Sequence, residues 1–249
     1  MNHPQLSVQL YTVREAMQED PAGTLARIAA IGFDQVEPYN FPAFPGLGVA
    51  LKAASLTAPT THAHFVGIPD DELAALFESA KELGIPRVID PHVPAERWQS
   101  AESVAEIAAQ LNAAAIIAAE HGVTIGYHNH AHELESIIDG RTALEVFVDS
   151  LAPEVKLEVD TYWALVGGQD PVALLGRLGE RVVAIHVKDG AGTAETKDQT
   201  AVGSGTLPIR DIIEAAPSAL RVIELDDSRD DRFQAIADSF AYLTGENLA

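Results

Sequence analysis

Cysteine is absent from this chain of 249 residues, and basic residues are few. The absence of cysteine excludes disulfides, thiolate metal ligands and a cysteine nucleophile. The 16 Lys and Arg residues stand against 37 Asp and Glu residues, which gives a formal net charge of -21. Because such a charge repels a phosphate backbone, we expect no nucleic-acid partner.

Long apolar runs are also missing from the sequence. No uninterrupted apolar run has the length that a bilayer crossing requires. The N-terminal residues lack a basic region followed by an apolar stretch, which is the pattern of a signal peptide. We therefore expect a cytoplasmic protein with no membrane partner.

Short strand-like runs alternate with Ala- and Leu-rich helical patterns about eight times along the chain. Candidate strands cover residues 7–10, 35–37, 59–64, 87–90, 124–128, 156–160, 182–186 and 220–224. Candidate helices cover residues 21–31, 70–83, 100–121, 141–150, 171–178 and 230–243. This alternation predicts a parallel sheet, and eight repeats predict an α/β fold that closes into a (β/α)8 TIM barrel, a single domain over residues 1–249. An open, doubly wound sheet is the alternative, because spacing alone does not prove closure.

The last three candidate strands each deliver a side chain that can bind a metal. They contain the runs Leu157-Glu158-Val159-Asp160, Val183-Ala184-Ile185-His186 and Val222-Ile223-Glu224. Neighbouring parallel strands of a barrel bring their carboxyl ends to one mouth, so Asp160, His186 and Glu224 are predicted to converge there. Two carboxylates and one imidazole indicate a divalent-metal site.

Alternation within the strands assigns side chains to the two faces of the sheet. Apolar branched residues suit the face toward the helices, which leaves the polar set facing the interior or the rim. By this parity, inward positions include Gln9, Glu37, His64 and Lys188.

Three further polar residues of these strands are predicted to be structural. Lys156 and Glu158 lie deeper in their strand and are predicted to form an ion pair or a polar layer. His62 is predicted to be an ordinary histidine without a role in the site.

The densest polar cluster is the run Tyr127-His128-Asn129-His130-Ala131-His132-Glu133. Its histidines and carboxylate could act as metal ligands, as an acid/base pair or as hydrogen-bond partners of sugar hydroxyls. The residue types alone do not decide which residue has which role. His128 and His130 share a face if the strand continues that far. Glu133 is predicted to lie in the following loop, from which it could fold back over the mouth.

Taken together, these motifs resemble the sugar phosphate isomerase/epimerase family, which consists of xylose isomerase-like TIM barrels. The resemblance covers nearly the whole chain, in order and at barrel spacing. Its motifs are Val8-Gln9-Leu10-Tyr11-Thr12-Val13-Arg14, Ile31-Gly32-Phe33, Val36-Glu37, Gly126-Tyr127-His128-Asn129-His130, Asp160-Thr161-Tyr162-Trp163, Gly167-Gly168-Gln169-Asp170-Pro171, His186-Val187-Lys188-Asp189, Val202-Gly203-Ser204-Gly205 and Ile223-Glu224-Leu225-Asp226.

The resemblance implies a bound divalent ion, either Mn, Zn, Co or Mg. Asp160, His186 and Glu224 match three of the four ligands that family members commonly use. The fourth ligand is usually a Glu at the end of the preceding strand, where this chain has Gly126-Tyr127-His128. Either His128 takes this position or Glu133 reaches in from the loop. We favour Glu133, because another carboxylate balances the charge of the ion and preserves two-carboxylate chemistry.

The resemblance also implies proton removal next to the carbonyl of a sugar or keto-sugar, through an enediolate. The predicted bases are Glu224 and, on the opposite face, Glu133. Proton relay or binding of substrate oxygens is predicted for His128, His130 and Lys188. Substrate contacts are predicted for Gln9, Glu37, His64 and Trp163.

The predicted function is therefore a carbohydrate isomerase or epimerase with a small-molecule sugar substrate. One alternative is a lyase or dehydratase that acts on a keto-sugar or inosose with the same first step, and another is a noncatalytic sugar-binding barrel. Few Lys and Arg residues favour an unphosphorylated sugar, and Gly203-Ser204-Gly205 has the form of a common turn rather than a phosphate loop. The sequence leaves open the sugar, the metal and whether the chain forms a homodimer.

Overall fold

One curved sheet of seven parallel strands is the centre of the computed structural model, which describes residues 6–245. The N-terminal residues 1–5, for which the sequence predicts no signal peptide, lie outside this range. The strands are β1 (Leu6–Val8), β2 (Thr61–His62), β3 (Arg87–Asp90), β4 (Thr124–His128), β5 (Ile137–Ile138), β6 (Arg141–Thr142), β7 (Lys156–Asp160), β8 (Val182–Val187), β9 (Asp189–Gly190), β10 (Gln199–Thr200) and β11 (Leu220–Ile223).

The helices fill the intervals between the strands. They are α1 (Arg14–Glu19), α2 (Pro21–Ile31), α3 (Leu47–Ala53), α4 (Asp70–Glu82), α5 (Ala101–Glu120), α6 (His132–Glu135), α7 (Ala143–Ser150), α8 (Thr161–Val166), α9 (Pro171–Leu178), α10 (Ile209–Ala215) and α11 (Arg232–Thr244). None of the helices in residues 6–245 combines the length and the apolar composition that crossing a bilayer requires.

The central sheet has the order β1-β11-β8-β7-β4-β3-β2, and residues 35–39 join its two edges. The Glu37 N–H donates to the Val8 carbonyl at 2.8 Å, and the His62 N–H donates to the Pro38 carbonyl at 2.8 Å. The predicted strand 35–37 is therefore present only as isolated bridges, because Pro38 has no N–H with which to extend a ladder. Parallel bridges to both edges close the barrel, and the predicted TIM barrel is confirmed over the open sheet.

Alternation along β7 and β8 places side chains as the sequence predicts. Leu157 and Val159 are buried in the apolar core, whereas Glu158 and Asp160 contact polar groups from other strands across the interior. His186 and Lys188 take part in the same polar interior. The barrel therefore has an apolar layer beneath the helices and an ionisable interior near its carboxyl end.

Asp160 ends β7 and also begins the next helix. Its Oδ1 accepts a hydrogen bond from the Trp163 N–H at 2.9 Å, so Asp160 is the N-cap of α8. A carboxylate suits this position because it satisfies a free N–H and complements the helix dipole. The cap fixes Oδ1 and leaves Oδ2 to face the barrel interior.

Candidate active site and metal centre

A cavity of about 280 Å³ opens at the carboxyl ends of the barrel strands. Histidines and carboxylates dominate its wall, which combines ionisable groups with two tyrosine rings. The lining residues are Tyr11, Tyr39, Asn40, His62, Ala63, His64, Pro91, His92, His128, His130, Glu224 and Asp226. A cavity at this end of a TIM barrel is the usual location of an active site.

Four buried side chains below this cavity form what we call the mouth set: His128, Asp160, His186 and Glu224. One ligand atom from each lies within 4.8 Å of the others. The His186 Nδ1 is 2.7 Å from the Glu224 Oε2, and the His128 Nε2 is 3.7 Å from the Asp160 Oδ2. The structure thus brings Asp160, His186 and Glu224 together, with His128 as the fourth member.

The mouth set fits a divalent ion by the chemistry of its donors, which are two carboxylates and two imidazoles. Asp160 is fully buried, and its Oδ2 has no hydrogen-bond partner within residues 6–245. A buried charged oxygen without such a partner is costly unless a cation compensates it.

Lys188 provides one cation beside the mouth set. Its ammonium lies 2.9 Å from the Asp160 Oδ2, 2.7 Å from the Glu224 Oε2 and 2.8 Å from the Asp226 Oδ2. Burial opposes the charge of Lys188, but the carboxylates of Asp160, Asp226 and Glu224 hold its pKa well above the ordinary value. Burial likewise acts to raise the pKa of Glu224, yet Lys188 and His186 hold it well below the usual range. Both groups are therefore charged at neutral pH.

A second group, which we call the deep set, consists of His62, His128, Glu158 and His186. The Glu158 Oε2 is 2.5 Å from the His62 Nε2, 3.1 Å from the His186 Nε2 and 3.2 Å from the His128 Nδ1. The two sets share His128 and His186, and each of these rings turns one nitrogen to each set.

The protonation state of His128 and the orientation of His186 both follow from their buried surroundings. Burial, followed by the charge of His186, lowers the pKa of His128 to about 3, so this ring is neutral at physiological pH. If its proton is on Nδ1, it donates to Glu158 and leaves the Nε2 lone pair toward the mouth set. The His186 Nε2 lies 2.9 Å from the Glu37 Oε1, a second buried carboxylate behind a ring of the mouth set. Carboxylates in these positions orient metal-binding imidazoles.

Glu133, which the sequence analysis favoured as the fourth ligand, lies outside both sets. Its carboxylate accepts hydrogen bonds from the Tyr127 hydroxyl at 2.7 Å and the His130 N–H at 2.8 Å. Tyr127 points toward the helical layer, where it packs against Trp98 and Phe147. The short helix α6 therefore holds Glu133 away from the mouth set, and His128, the alternative from the sequence, lies beside Asp160, His186 and Glu224. Burial raises the pKa of Glu133 to about 7.

The residues predicted to bind substrate occupy different depths. His64 lines the cavity with a side chain that is 70% exposed, 3.8 Å from Asp90. Gln9 and Glu37 are fully buried and are absent from the cavity lining. The Gln9 amide donates to Glu37 at 2.8 Å, and the Thr60 hydroxyl donates to the same carboxylate. Gln9 and Glu37 therefore support the floor of the site.

Trp163 and His130 lie side by side near the cavity. Their ring centroids are 6.2 Å apart, and the Lys188 ammonium is 5.8 Å from the Trp163 ring. His130 lines the cavity, whereas Trp163 stands behind it. The His130 Nδ1 and Trp163 Nε1 atoms are buried without hydrogen-bond partners within residues 6–245.

His62 and Glu158 are the residues that the sequence interpretation missed. Glu158 was expected to pair with Lys156 or to form a polar layer, but the structure surrounds it with three imidazoles. Their signal was parity, since Glu158 precedes Asp160 by two positions and His62 precedes His64 by two. Residues two apart on a strand share a face, so each pair points to the same side.

The Gly203-Ser204-Gly205 turn binds a carboxylate of the chain itself. The Asp189 Oδ2 accepts from the N–H groups of Gly203 and Gly205 at 2.9 and 3.0 Å. The Asp189 Oδ1 accepts from the N–H groups of Gly190 and Leu207 at 2.8 and 3.1 Å. These backbone donors, which would suit a phosphate, are thus engaged by Asp189.

Comparisons with known proteins agree with the barrel fold described above. The xylose isomerase-like TIM barrel family matches residues 25–243 of the chain. An inosose dehydratase from Geobacillus kaustophilus (strain HTA426) is 33% identical over 126 residues, which cover 47% of this chain and 40% of that enzyme.

Solved structures share the fold at low sequence identity. A sugar phosphate isomerase/epimerase from Parabacteroides distasonis ATCC 8503 aligns with a TM-score of 0.84 at 20% identity, covering 99% of this chain and 96% of that chain. The IolI protein with a bound zinc atom aligns with a TM-score of 0.71 at 16% identity, covering 96% of each chain.

Proposed function

Because the chain belongs to the xylose isomerase-like TIM barrel family, we propose that it is a metal-dependent isomerase or epimerase of a sugar or keto-sugar. The reaction would begin with removal of a proton next to a carbonyl and pass through an enediolate. The observation that carries this proposal is the mouth set, which places two carboxylates and two imidazoles directly below a polar cavity.

The proposed ligands are His128, Asp160, His186 and Glu224. The donor chemistry of these four side chains and the zinc-bound IolI relative both support an ion at this position. A divalent ion held there would supply Lewis-acid polarisation of a substrate carbonyl. The donor set fits Mn, Zn, Co and Mg to different degrees and leaves the identity of the ion open.

Glu224 is the proposed base. It lines the cavity, and the neighbouring charges of Lys188 and His186 keep its carboxylate ionised at neutral pH. A carboxylate at the cavity wall can accept the substrate proton and return it to the adjacent carbon. The Lys188 ammonium beside it stabilises negative charge that develops during proton removal.

The remaining polar residues are proposed to hold the substrate. His130 and His64 line the cavity within reach of sugar hydroxyls, and Trp163 backs His130 with an apolar face. Glu133 is proposed to act at a distance, because its carboxylate fixes the backbone N–H of His130. Gln9 and Glu37 are proposed to orient His186 from below rather than to touch the sugar.

An uncharged sugar is the proposed substrate class. Carboxylates of Glu224 and Asp226 are part of the cavity wall, and the Lys188 charge is shared among three carboxylates. Asp189 engages the backbone donors of the 203–205 turn. These groups disfavour a phosphate ester near the cavity. The cytoplasmic location and the oligomeric state stay predictions.

Solvent-exchange NMR tests this function. Candidate ketoses are incubated in deuterated buffer with the Mn²⁺- or Zn²⁺-loaded protein, and deuterium is measured at the carbon next to the carbonyl. We expect exchange with formation of an isomer or epimer, and its loss in Glu224→Gln. Glu120→Gln, which changes an exposed carboxylate at the end of α5, serves as the matched control and keeps exchange. Sugar binding without exchange in the loaded wild type would instead favour a noncatalytic barrel.

A dehydratase is the second candidate, and the inosose dehydratase relative is the observation that favours it. Proton removal next to a carbonyl is also the first step of eliminating water from the neighbouring carbon. Mass spectrometry of the products separates the two reactions. A product lighter by one water, rather than an isomer of equal mass, would replace the isomerase proposal.

A further inference from the structure

We propose that the deep set is a second cation position, selective for Zn²⁺ or Co²⁺ and occupied as an alternative to the mouth set. Its exclusive members are His62 and Glu158, and it shares His128 and His186 with the mouth set. The proposal concerns ion binding and does not depend on the reaction that the protein catalyses.

The donor atoms of the deep set lie close enough together to bind one ion, since all four fall within 4.8 Å of one another. Three imidazole nitrogens surround the Glu158 Oε2 at 2.5, 3.1 and 3.2 Å. Zinc bonds of about 2.0 to 2.1 Å place ligand atoms roughly 3.3 Å apart. The nitrogens come from the strands β2, β4 and β8, which approach the carboxylate from different sides of the barrel. Small shifts of side chains would therefore admit an ion.

Histidines alone compensate the buried carboxylates at the deep set within residues 6–245, so a metal ion there would replace imidazole protons. Within residues 6–245, Glu37 and Glu158 form ion pairs only with histidines. Arg87 interacts electrostatically with Glu158 but forms no ion pair with it in the same range. By contrast, Lys188 neutralises the mouth carboxylates directly. Buried carboxylates without a lysine or arginine partner need protonated imidazoles or a metal ion.

An oxygen of Glu158 remains unsatisfied in the structure. Glu158 is fully buried, and its Oε1 has no hydrogen-bond partner within residues 6–245. The Oε2 alone serves the three imidazoles. An ion that bound Glu158 through both carboxylate oxygens would give Oε1 the partner that it lacks.

The two positions exclude each other because they share two rings. A neutral imidazole has one nitrogen lone pair, and a second metal on the same ring requires loss of the remaining proton. His128 and His186 would both have to lose that proton for simultaneous occupancy. We therefore expect one ion per chain, in one position or the other.

Donor chemistry separates the ions that each position prefers. Three imidazoles and one carboxylate favour Zn²⁺ and Co²⁺, whereas Mn²⁺ and Mg²⁺ favour oxygen ligands. The mouth set has two nitrogens and two oxygens, so it is the better site for Mn²⁺. His62 and His128 line the cavity, which gives an ion a route from solvent to the deep set.

The decisive experiment compares two double variants in metal titrations followed by elemental analysis. Asp160→Asn/Glu224→Gln removes the exclusive carboxylates of the mouth set. We expect this variant to retain one Zn²⁺ per chain, with affinity within about tenfold to a hundredfold of the wild type, and to lose Mn²⁺. His62→Gln/Glu158→Gln should show the reverse pattern, with Mn²⁺ retained and zinc weakened. His92→Gln, a cavity histidine outside both sets, is the matched control and should bind as the wild type does.

Loss of zinc from Asp160→Asn/Glu224→Gln with unchanged zinc binding by His62→Gln/Glu158→Gln would overturn the proposal. Zinc binding unaffected in both variants would do so as well, because the ion would then lie elsewhere. X-ray absorption of the wild type with less than one equivalent of zinc does not depend on the folding of any variant. Three imidazoles around the ion support the deep position, and two imidazoles contradict it.

Discussion

The mouth and deep sets share two imidazoles but compensate their buried carboxylates by different means. In the mouth set the Lys188 ammonium lies within 3 Å of Asp160 and Glu224. In the deep set, within residues 6–245, Glu158 faces only imidazoles at comparable distances. The difference shows that donor geometry alone does not define a metal site. A neighbouring lysine already compensates the carboxylates, so it reduces the electrostatic free energy that a bound ion would gain.

The largest expected effect comes from removing a ring that both sets need. His186→Ala deletes a nitrogen from each set, so we expect loss of bound ion and a fall in proton exchange of at least ~10²- to 10⁴-fold. Elemental analysis and exchange NMR measure these quantities. His121→Ala is the control, because this histidine bonds to Glu78 on the outer surface. An ion retained by His186→Ala at wild-type affinity would place the metal outside both sets.

Removing Lys188 should leave the carboxylates of the mouth set without a lysine partner, as those of the deep set are. In Lys188→Met, three carboxylates lose their shared ammonium, and we expect the metal-free protein to lose about 3–5 kcal/mol of stability. Added Mn²⁺ should restore much of this loss, because the ion then replaces the ammonium. Urea unfolding with EDTA and with Mn²⁺ measures both effects, and Lys197→Met on an exposed turn is the control. Equal stability of Lys188→Met and wild type in EDTA would contradict the assigned role.

Glu133 extends the comparison to a buried carboxylate outside both sets. Its folded-state pKa of about 7 exceeds the ordinary value of 4.5. The folded state therefore binds this proton more tightly than the unfolded state, so the associated stability is present below pH 4.5 and is lost as pH rises through 7. This shift corresponds to roughly 3 kcal/mol.

Glu133→Gln removes this pH dependence. We expect the variant to gain stability relative to wild type between pH 4.5 and 7, measured by urea unfolding of the metal-free protein across that range. Glu120→Gln at the exposed end of α5 is the control. A constant difference between Glu133→Gln and wild type over this range would show that Glu133 titrates normally.

Asp189 shows a third way to compensate a buried carboxylate, through backbone N–H groups. Asp189→Ala leaves four backbone donors without their acceptor, and we expect a loss of about 1–3 kcal/mol. Phosphate or sulfate should raise the melting temperature of the variant more than that of the wild type, since an anion can replace the carboxylate. Thermal unfolding with and without these anions provides the measurement. An anion response equal to that of wild type would mean that the turn collapses when Asp189 is removed.

Much of the fold was predictable because its signals are local. Helices α2 and α9 begin and end as predicted, and so do strands β3, β4 and β7. The main difference is the segment 35–39. There Pro38 limits the strand that was predicted over residues 35–37 to isolated bridges. Its hydrogen bonds depend on closure of the barrel, which is a long-range event that local patterns do not contain.

The candidate site was predictable only in part. Asp160, His186 and Glu224 were identified because strand ends of a barrel converge. The sequence interpretation preferred Glu133 to His128 as fourth ligand on charge balance alone, whereas the structure places His128 beside the other three side chains. The contact of Glu133 with Tyr127 on the helical side was not visible in the sequence.

The sequence by itself determined the repeating strand–helix pattern, the inward parity of polar residues and the kinds of ligand at the strand ends. These properties follow from side-chain periodicity along a single strand. Only the tertiary structure decided which carboxylate faces which cation. His62 and Glu158 are 96 positions apart, and Glu37 and His186 are 149 apart. Contacts over such separations depend on how the barrel closes, and closure sets the distances on which Coulomb interactions and ion binding depend.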